Sequence, residues 1–338
     1  MHQTGIARLA LKRGALVTAA NWQVVVIQAI SDSAFKLLLA VPIMGGVLLA
    51  TLLMGQDLAS LLGRDARDLL AGIAEALLER PGALAGFLVA LGFVGLGGSV
   101  FMFLIKAGTV SVLVDADRSA GPIEHPPLRI SGFRRAMRFS IERYTAGAGA
   151  LFRRYLALGC LLIAIYVLSM SAYALTVYVG YRRIGSGAFL IGWTFAAALL
   201  AIALVVWTTA VNLVYLLTQI VVAVTDSGVS AAVRQVFRFL RADARPVLRI
   251  FVAVLLLVVL VTGLSLVATA SLGFIAYVPL AGVAVLPLQL VAWLLRNLVF
   301  QFIGLTALSA YLARYRRFAA GPDPAASAPG QPTGTLLP

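Results

Sequence analysis

Long unbroken apolar runs, rather than alternating ones, dominate the chain. Windows near Leu37–Met54, Ala83–Ile105, Tyr155–Val179, Ala188–Leu217, Ile250–Ile275 and Gln289–Ala313 carry little or no charge. At about 1.5 Å of rise per helical residue, each is long enough to cross a ~30 Å hydrocarbon core. The only other structure that spans a bilayer, a closed barrel, needs short strands of alternating polarity, and runs of this length do not alternate. The pattern predicts an all-α fold: a polytopic membrane helix bundle of about six transmembrane helices, with amphipathic helices lying at the interface.

The interfacial helices are read from a second periodicity. In "AAVRQVFRFLRADARPVLRI", Arg234, Arg238, Arg241 and Arg245 fall within about 60° of one another at 100° per residue, while Val233, Val236, Phe237, Leu240 and Ala244 gather on the other side. Pro246 removes a backbone donor and disfavours helical geometry at Arg245, so a bend is expected there before the fifth span. A hundred residues upstream "GFRRAMRF" (Gly132–Phe139) lies over "AVRQVFRF" (Ala232–Phe239), matching Arg134 with Arg234 and Arg138 with Arg238. In that copy "AGAGA" (Ala146–Ala150) stands where the proline break would be, and a fainter copy has Asp32–Ser33 before "AFKLLLAVP". The expected organisation is one transmembrane domain over residues 1–320, with possible two-span repeat units at 5–130, 131–228 and 229–318. A Pro/Ala/Gly/Ser-rich tail, 321–338, is expected to be disordered. The segment "DLASLLGRDARDLLAGIAEALLER" inside Gly55–Pro81 reads as a further amphipathic helix capping the outer face.

Composition agrees with a membrane setting. The chain is 61% hydrophobic and 12% charged, with a mean hydropathy of +0.98, against an apolar share of roughly 45–50% in soluble domains. The net charge of +14 changes the picture by its distribution. Thr109–Arg154 holds eight arginines and Asp226–Arg249 five, and both chain ends are basic, whereas the alternate loops are poor in Lys and Arg. The positive-inside rule then puts both termini and the two long basic loops in the cytoplasm of a bacterial inner membrane. Because these arginines flank spans and share helices with apolar faces, anionic phospholipids are the expected partner and nucleic acid is not. The N-terminal arm shows no removable signal pattern.

Basic elbow helices placed before paired spans resemble uncharacterised bacterial six-span families and the membrane domain attached to some glycerophosphodiester phosphodiesterases. The resemblance is carried by Arg134, Arg138, Arg234, Arg238 and the segments Ala34–Pro42, Leu151–Gly159 and Val247–Leu255. It implies an architecture only. The soluble catalytic domain of those enzymes has no counterpart here.

Candidate chemistry is sparse. No metalloprotease, nucleophile-elbow or phosphate-loop motif occurs, the apolar windows contain no Asp or Glu, and the single Cys160 reads as a small packing residue. His125 reads as a lone solvated histidine, and Gly92, Gly95 and Gly98 as a helix-packing surface. No catalytic residue, metal or cofactor is expected. The candidate lipid-binding residues are Arg134, Arg138, Arg234, Arg238, Arg241 and Arg245. The candidate intramembrane polar site comprises Arg296, Asn297 and Gln301, and Thr208, Thr209, Asn212 and Gln219 are candidates to extend a polar path. Arg296 has two readings: a charge near the membrane midplane needing a partner, or one that snorkels to the outer headgroups, with Ala276–Gln289 left as an outer or re-entrant segment. The expected function is a non-catalytic scaffold, assembly or envelope-homeostasis protein with an unidentified membrane partner. The alternative is a transporter or channel subunit.

Overall fold

The computed structural model describes residues 2–54, 78–125, 130–184, 188–276 and 281–320. Among them the chain is all-α: α1 (His2–Ala20), α2 (Trp22–Met54), α3 (Pro81–Ser119), α4 (Ile130–Ala136), α5 (Ile141–Ile184), α6 (Ala188–Thr225), α7 (Val229–Ala276) and α8 (Ala281–Ala319). Six of these, α2, α3, α5, α6, α7 and α8, are long and apolar enough to cross a membrane, so the chain is a multipass membrane protein. The capping helix expected within Gly55–Pro81 falls largely, and the tail from Gly321 wholly, outside the described residues.

The breaks between helices differ from those expected, each for a local reason. The bend in α7 is at Asp243 (φ −121°, ψ 29°), not at Arg245. Pro246 lacks the N–H that would bond Ala242 and its ring crowds that carbonyl, so the distortion falls on the turn before the proline. "AGAGA" is uninterrupted helix within α5; Gly147 is there because Ser111 of α3 occupies the space a Cβ would take. The break in this unit lies instead at residues 137–140. In the first unit Asp32–Ser33 is helical, and the corner is eleven residues earlier, at Asn21. The fully buried Asn21 side chain donates to the carbonyls of Val17 (2.9 Å) and Ala136 (2.8 Å). Its oxygen accepts the backbone N–H groups of Arg138 (3.0 Å) and Phe139 (3.1 Å). Two donors and two lone pairs are all used, which ties the α1–α2 corner to the α4–α5 corner.

Small residues set the close approaches. Gly98 lies under the ring of Phe35, Gly108 under Tyr144 and Gly159 under Phe103, while Gly14 of α1 faces the α8 backbone at Thr306 and Ala310. The expected glycine surface of α3 thus reduces to Gly98, since Gly92 and Gly95 face open space. Cys160 is exposed rather than packed.

The core sits at one end. The largest fully buried side chains, among them Val17, Val24, Leu113, Tyr155, Leu217, Ile220, Phe239, Ile250 and Leu312, belong to the end of the bundle that carries both termini. Toward the far end, Phe93, Leu168, Phe189, Ile191 and Leu264 are exposed. Lipid tails are as apolar as leucine and give spans no hydrophobic reason to pack, whereas apolar surface facing water must be covered. Such cover is what "TVSVLV" (Thr109–Val114) of α3 and "QIVVAV" (Gln219–Val224) of α6 receive: Val110, Leu113, Ile220 and Val222 are buried with Val236 and Phe239 of α7. The first stretch of α7 accordingly turns Ala232, Val236 and Phe239 inward and leaves Phe237 and Ala244 exposed, a face rotated from the expected one.

Candidate functional site

At the terminus end, the sequence folds three distant segments onto two buried carboxylates. Gly121 (φ +64°) follows the C-terminus of α3 in the left-handed conformation that glycine adopts most readily. The turn it makes brings Glu124 back beside Asp117. Arg13 of α1 donates through Nε to Asp117 Oδ1 (2.6 Å) and through Nη1 to Glu124 Oε2 (2.8 Å). The same guanidinium reaches the carbonyls of Gly121 (2.6 Å) and Asp117 (2.9 Å). From α8, Arg316 meets Asp117 Oδ2 (2.6 Å) and Arg317 meets Glu124 Oε1 (2.7 Å). The carboxylate side chains are only 3% and 2% exposed. Burial by itself pushes the Glu124 carboxyl up, but its own backbone N–H, Arg13 and Arg317 outweigh that and hold it below the ordinary range. His125, largely exposed, has Nε2 3.9 Å from Glu124 Oε1. An open hollow of about 440 Å³ lies over this cluster. Its acids are saturated by arginines, so it acts as a latch between the two ends of the chain.

The arginines read as lipid-binding lie on the flank of the same end. Arg134, Arg234, Arg238, Arg241 and Arg245 are exposed, and none of them has a carboxylate partner among the described residues. Arg138 is diverted: it is half-buried and donates to Ser119 Oγ at 2.9 Å. Large apolar side chains are exposed between and beside these cations, namely Ile130, Met137 and Ile141 around Arg134, and Phe237 and Leu248 around Arg238 and Arg245. Asp243 at the α7 bend is occupied by Arg314 (2.7 Å), leaving Arg241 and Arg245 unneutralised beside it.

Asn297 and Gln301, four residues apart, share a face of α8 that Arg296 does not. Asn297 is buried and donates to Ala29 O (2.9 Å) and Ser33 Oγ (2.8 Å) of α2. Arg296 points away, exposed, with its guanidinium 5.7 Å from the Phe300 ring centre. Gln301 is half-buried. The bond from Asn297 to Ser33 fixes the height of this turn: it is level with the Asp32–Lys36 ion pair (2.6 Å), on the terminus side of the apolar stretch of α2. Ahead of this turn α8 begins at Ala281 and runs through Pro287 as one helix, and residues 277–280 of the segment Ala276–Gln289 lie outside the described residues.

Three of the polar residues of α6 are spent locally, whereas the buried Gln219 has no hydrogen-bond partner for its Nε2 among the described residues. Thr208 and Thr209 donate to the carbonyl of Val205, and Asn212 accepts from Tyr166 of α5 (2.6 Å). Beside them runs an apolar crease of about 370 Å³ between α5, α6 and the first part of α7, with Leu161, Leu162, Trp207, Val214, Tyr215 and Phe237 among its walls. The Tyr215 side chain backs onto Lys106 of α3, whose ammonium lies 5.6 Å from the ring centre.

Sequence reading by residue type missed Arg13, Asp117, Glu124 and Asn21. The signal for the two acids was their rarity: the chain has only 13 Asp and Glu, and two of these are nearly inaccessible. No family model, no curated protein and no solved structure matches the chain.

Proposed function

We propose that this is a non-catalytic integral membrane protein that binds anionic phospholipid in the leaflet nearest its termini, acting as a scaffold, assembly or envelope-homeostasis component of a bacterial inner membrane with both termini cytoplasmic. One observation carries the reading: exposed, unpaired arginines of α4 and α7 interleaved with exposed Ile130, Met137, Phe237 and Leu248. A surface in water would not leave the apolar members uncovered, and a surface within hydrocarbon would not leave the cations unpaired. The headgroup layer accommodates both, with each cation contributing on the order of 1 kcal/mol toward an anionic surface. The scaffold would hold its membrane partner, of unspecified identity, without a cofactor. A transporter with a polar path near Arg296 and Asn297 has less support, since those side chains diverge and Asn297 is consumed in joining α8 to α2.

The test is retention of phosphatidylglycerol by the purified protein in mild detergent. Replacing Arg234, Arg238, Arg241 and Arg245 by Gln should reduce it at least tenfold relative to wild type. Unchanged retention overturns the lipid reading.

A further inference from the structure

The crease between α5, α6 and α7 has a shape and position that a lipid-facing irregularity need not have. Its α6 wall is one continuous stripe, Trp207, Ala210, Val211, Val214, Tyr215 and Thr218, eleven steps or about 16.5 Å long. That is close to half of a ~30 Å hydrocarbon core, one leaflet deep. Leu158, Leu161, Leu162 and Ile165 of α5 form the facing wall, and Val233 and Phe237 of α7 close the terminus end. The mouth opens sideways, since Leu161, Trp207 and Phe237 are each about half exposed.

A crease about 16.5 Å long, about 370 Å³ in volume and apolar along its walls, suits a hydrocarbon chain lying along it, with carbons about 4 Å from the side chains on either side. Charge marks the end where the headgroup belongs. Arg234 lies three residues before Phe237 and Arg241 four residues after it, so both flank the closed end of the crease on exposed helix surface.

We propose that the crease seats one acyl chain of an anionic phospholipid from the terminus-side leaflet, with the phosphate held between Arg234 and Arg241. The proposal rests on the lipid-binding reading above and adds a defined, single site to it. Ala210 is exposed at the mouth, so Ala210→Trp fills the crease without disturbing the core, and Ala198→Trp places the same bulk on an exposed part of α6 outside it.

Native mass spectrometry of the full chain, titrated with phosphatidylglycerol or with phosphatidylcholine of identical chains, reads the site. Wild type and Ala198→Trp are expected to hold one phosphatidylglycerol in preference to phosphatidylcholine. Ala210→Trp should weaken that first binding at least tenfold, and Arg234→Gln with Arg241→Gln should abolish the preference between the two lipids. If Ala210→Trp binds as wild type does while the double arginine variant loses the preference, the crease is not the seat and headgroup binding alone survives. If neither variant changes anything, both readings fall. Equal weakening by Ala198→Trp also overturns the proposal, because bulk anywhere on α6 would then suffice.

Discussion

Arg13 and Asp117, 104 residues apart in the chain, are joined twice: Nε meets the carboxylate at 2.6 Å and Nη2 meets the backbone carbonyl of the same residue at 2.9 Å. The pair clamps α1 to the end of α3, and Arg316 clamps α8 to the same carboxylate from the other side. A buried charge that loses its partner is left with most of its desolvation cost. Arg13→Met is therefore expected to destabilise the protein by about 3 kcal/mol, read as a lowered unfolding temperature in detergent. A loss no larger than that of a surface substitution such as Arg134→Met would show that Arg316 and Arg317 suffice.

The same cluster sets an acid limit. Burial alone would raise the Glu124 carboxyl, but its backbone hydrogen bond and two guanidiniums hold it below the ordinary value of about 4.3. A group whose pKa is depressed on folding stabilises the fold above its unfolded pKa, and that contribution disappears as pH falls through the folded pKa. Stability should be insensitive to this group near neutrality and fall below about pH 4. Glu124→Gln should be less stable than wild type at pH 7, with a shallower decline on acidification. Parallel pH profiles for the two proteins would contradict the assignment.

Gly14 and Gly149 separate close approach from mere helical glycine. A Cβ on Gly14 would meet the backbone at Thr306 and Ala310 of α8, whereas one on Gly149 would meet nothing within 4 Å. Backbone cannot swing aside as a side chain can. Gly14→Ala should cost about 1–3 kcal/mol by forcing α1 off α8, while Gly149→Ala should be neutral or stabilise by about 0.5–1 kcal/mol. Comparable effects at the two sites would remove the packing argument.

The six long helices were legible because a span announces itself by composition alone, as Ala83–Ile105 and Ile250–Ile275 do. The breaks were less so. Pro246 marked a bend, but it lies three residues before the proline rather than at Arg245, since a proline disturbs the turn before it. The "AGAGA" segment looked like a hinge and is a packing seam, because glycine signals both and only the neighbour, here Ser111, decides. The length of α3 and α6 pointed to apolar ends, Thr109–Val114 and Gln219–Val224, that need cover, but which residues of each helix are buried was not readable. Hydropathy gives the same score to Val110, which is buried, and Val89, which faces outward; where water ends and lipid begins is a property of the assembled molecule. The buried latch was hidden for the opposite reason: Arg13 and Arg316 were visible as charges, but counted toward topology rather than paired across the fold.

Arg296 brings these threads to one measurement. Its neighbour Asn297 is bonded to Ala29 and Ser33, and from Ser33 to the end of α2 at Met54 is 21 helical steps, about 31.5 Å, of predominantly apolar sequence. That distance is a full hydrocarbon core. Arg296 is therefore expected near the terminus-side boundary, at the height of Asp32 and Lys36, with its guanidinium exposed beside Phe300. The charge needs no carboxylate there, since headgroups and water are within reach of its side chain. Farther along α8, Leu308, Tyr311 and Leu312 pack into the core. With Cys160→Ala removing the native thiol, Arg296→Cys should be labelled by a membrane-impermeant maleimide in inside-out vesicles and protected in intact spheroplasts. Labelling of spheroplasts but not of inside-out vesicles would place this turn at the outer surface. Protection in both would bury it, and would return Arg296 to the role of an intramembrane charge in search of a ligand.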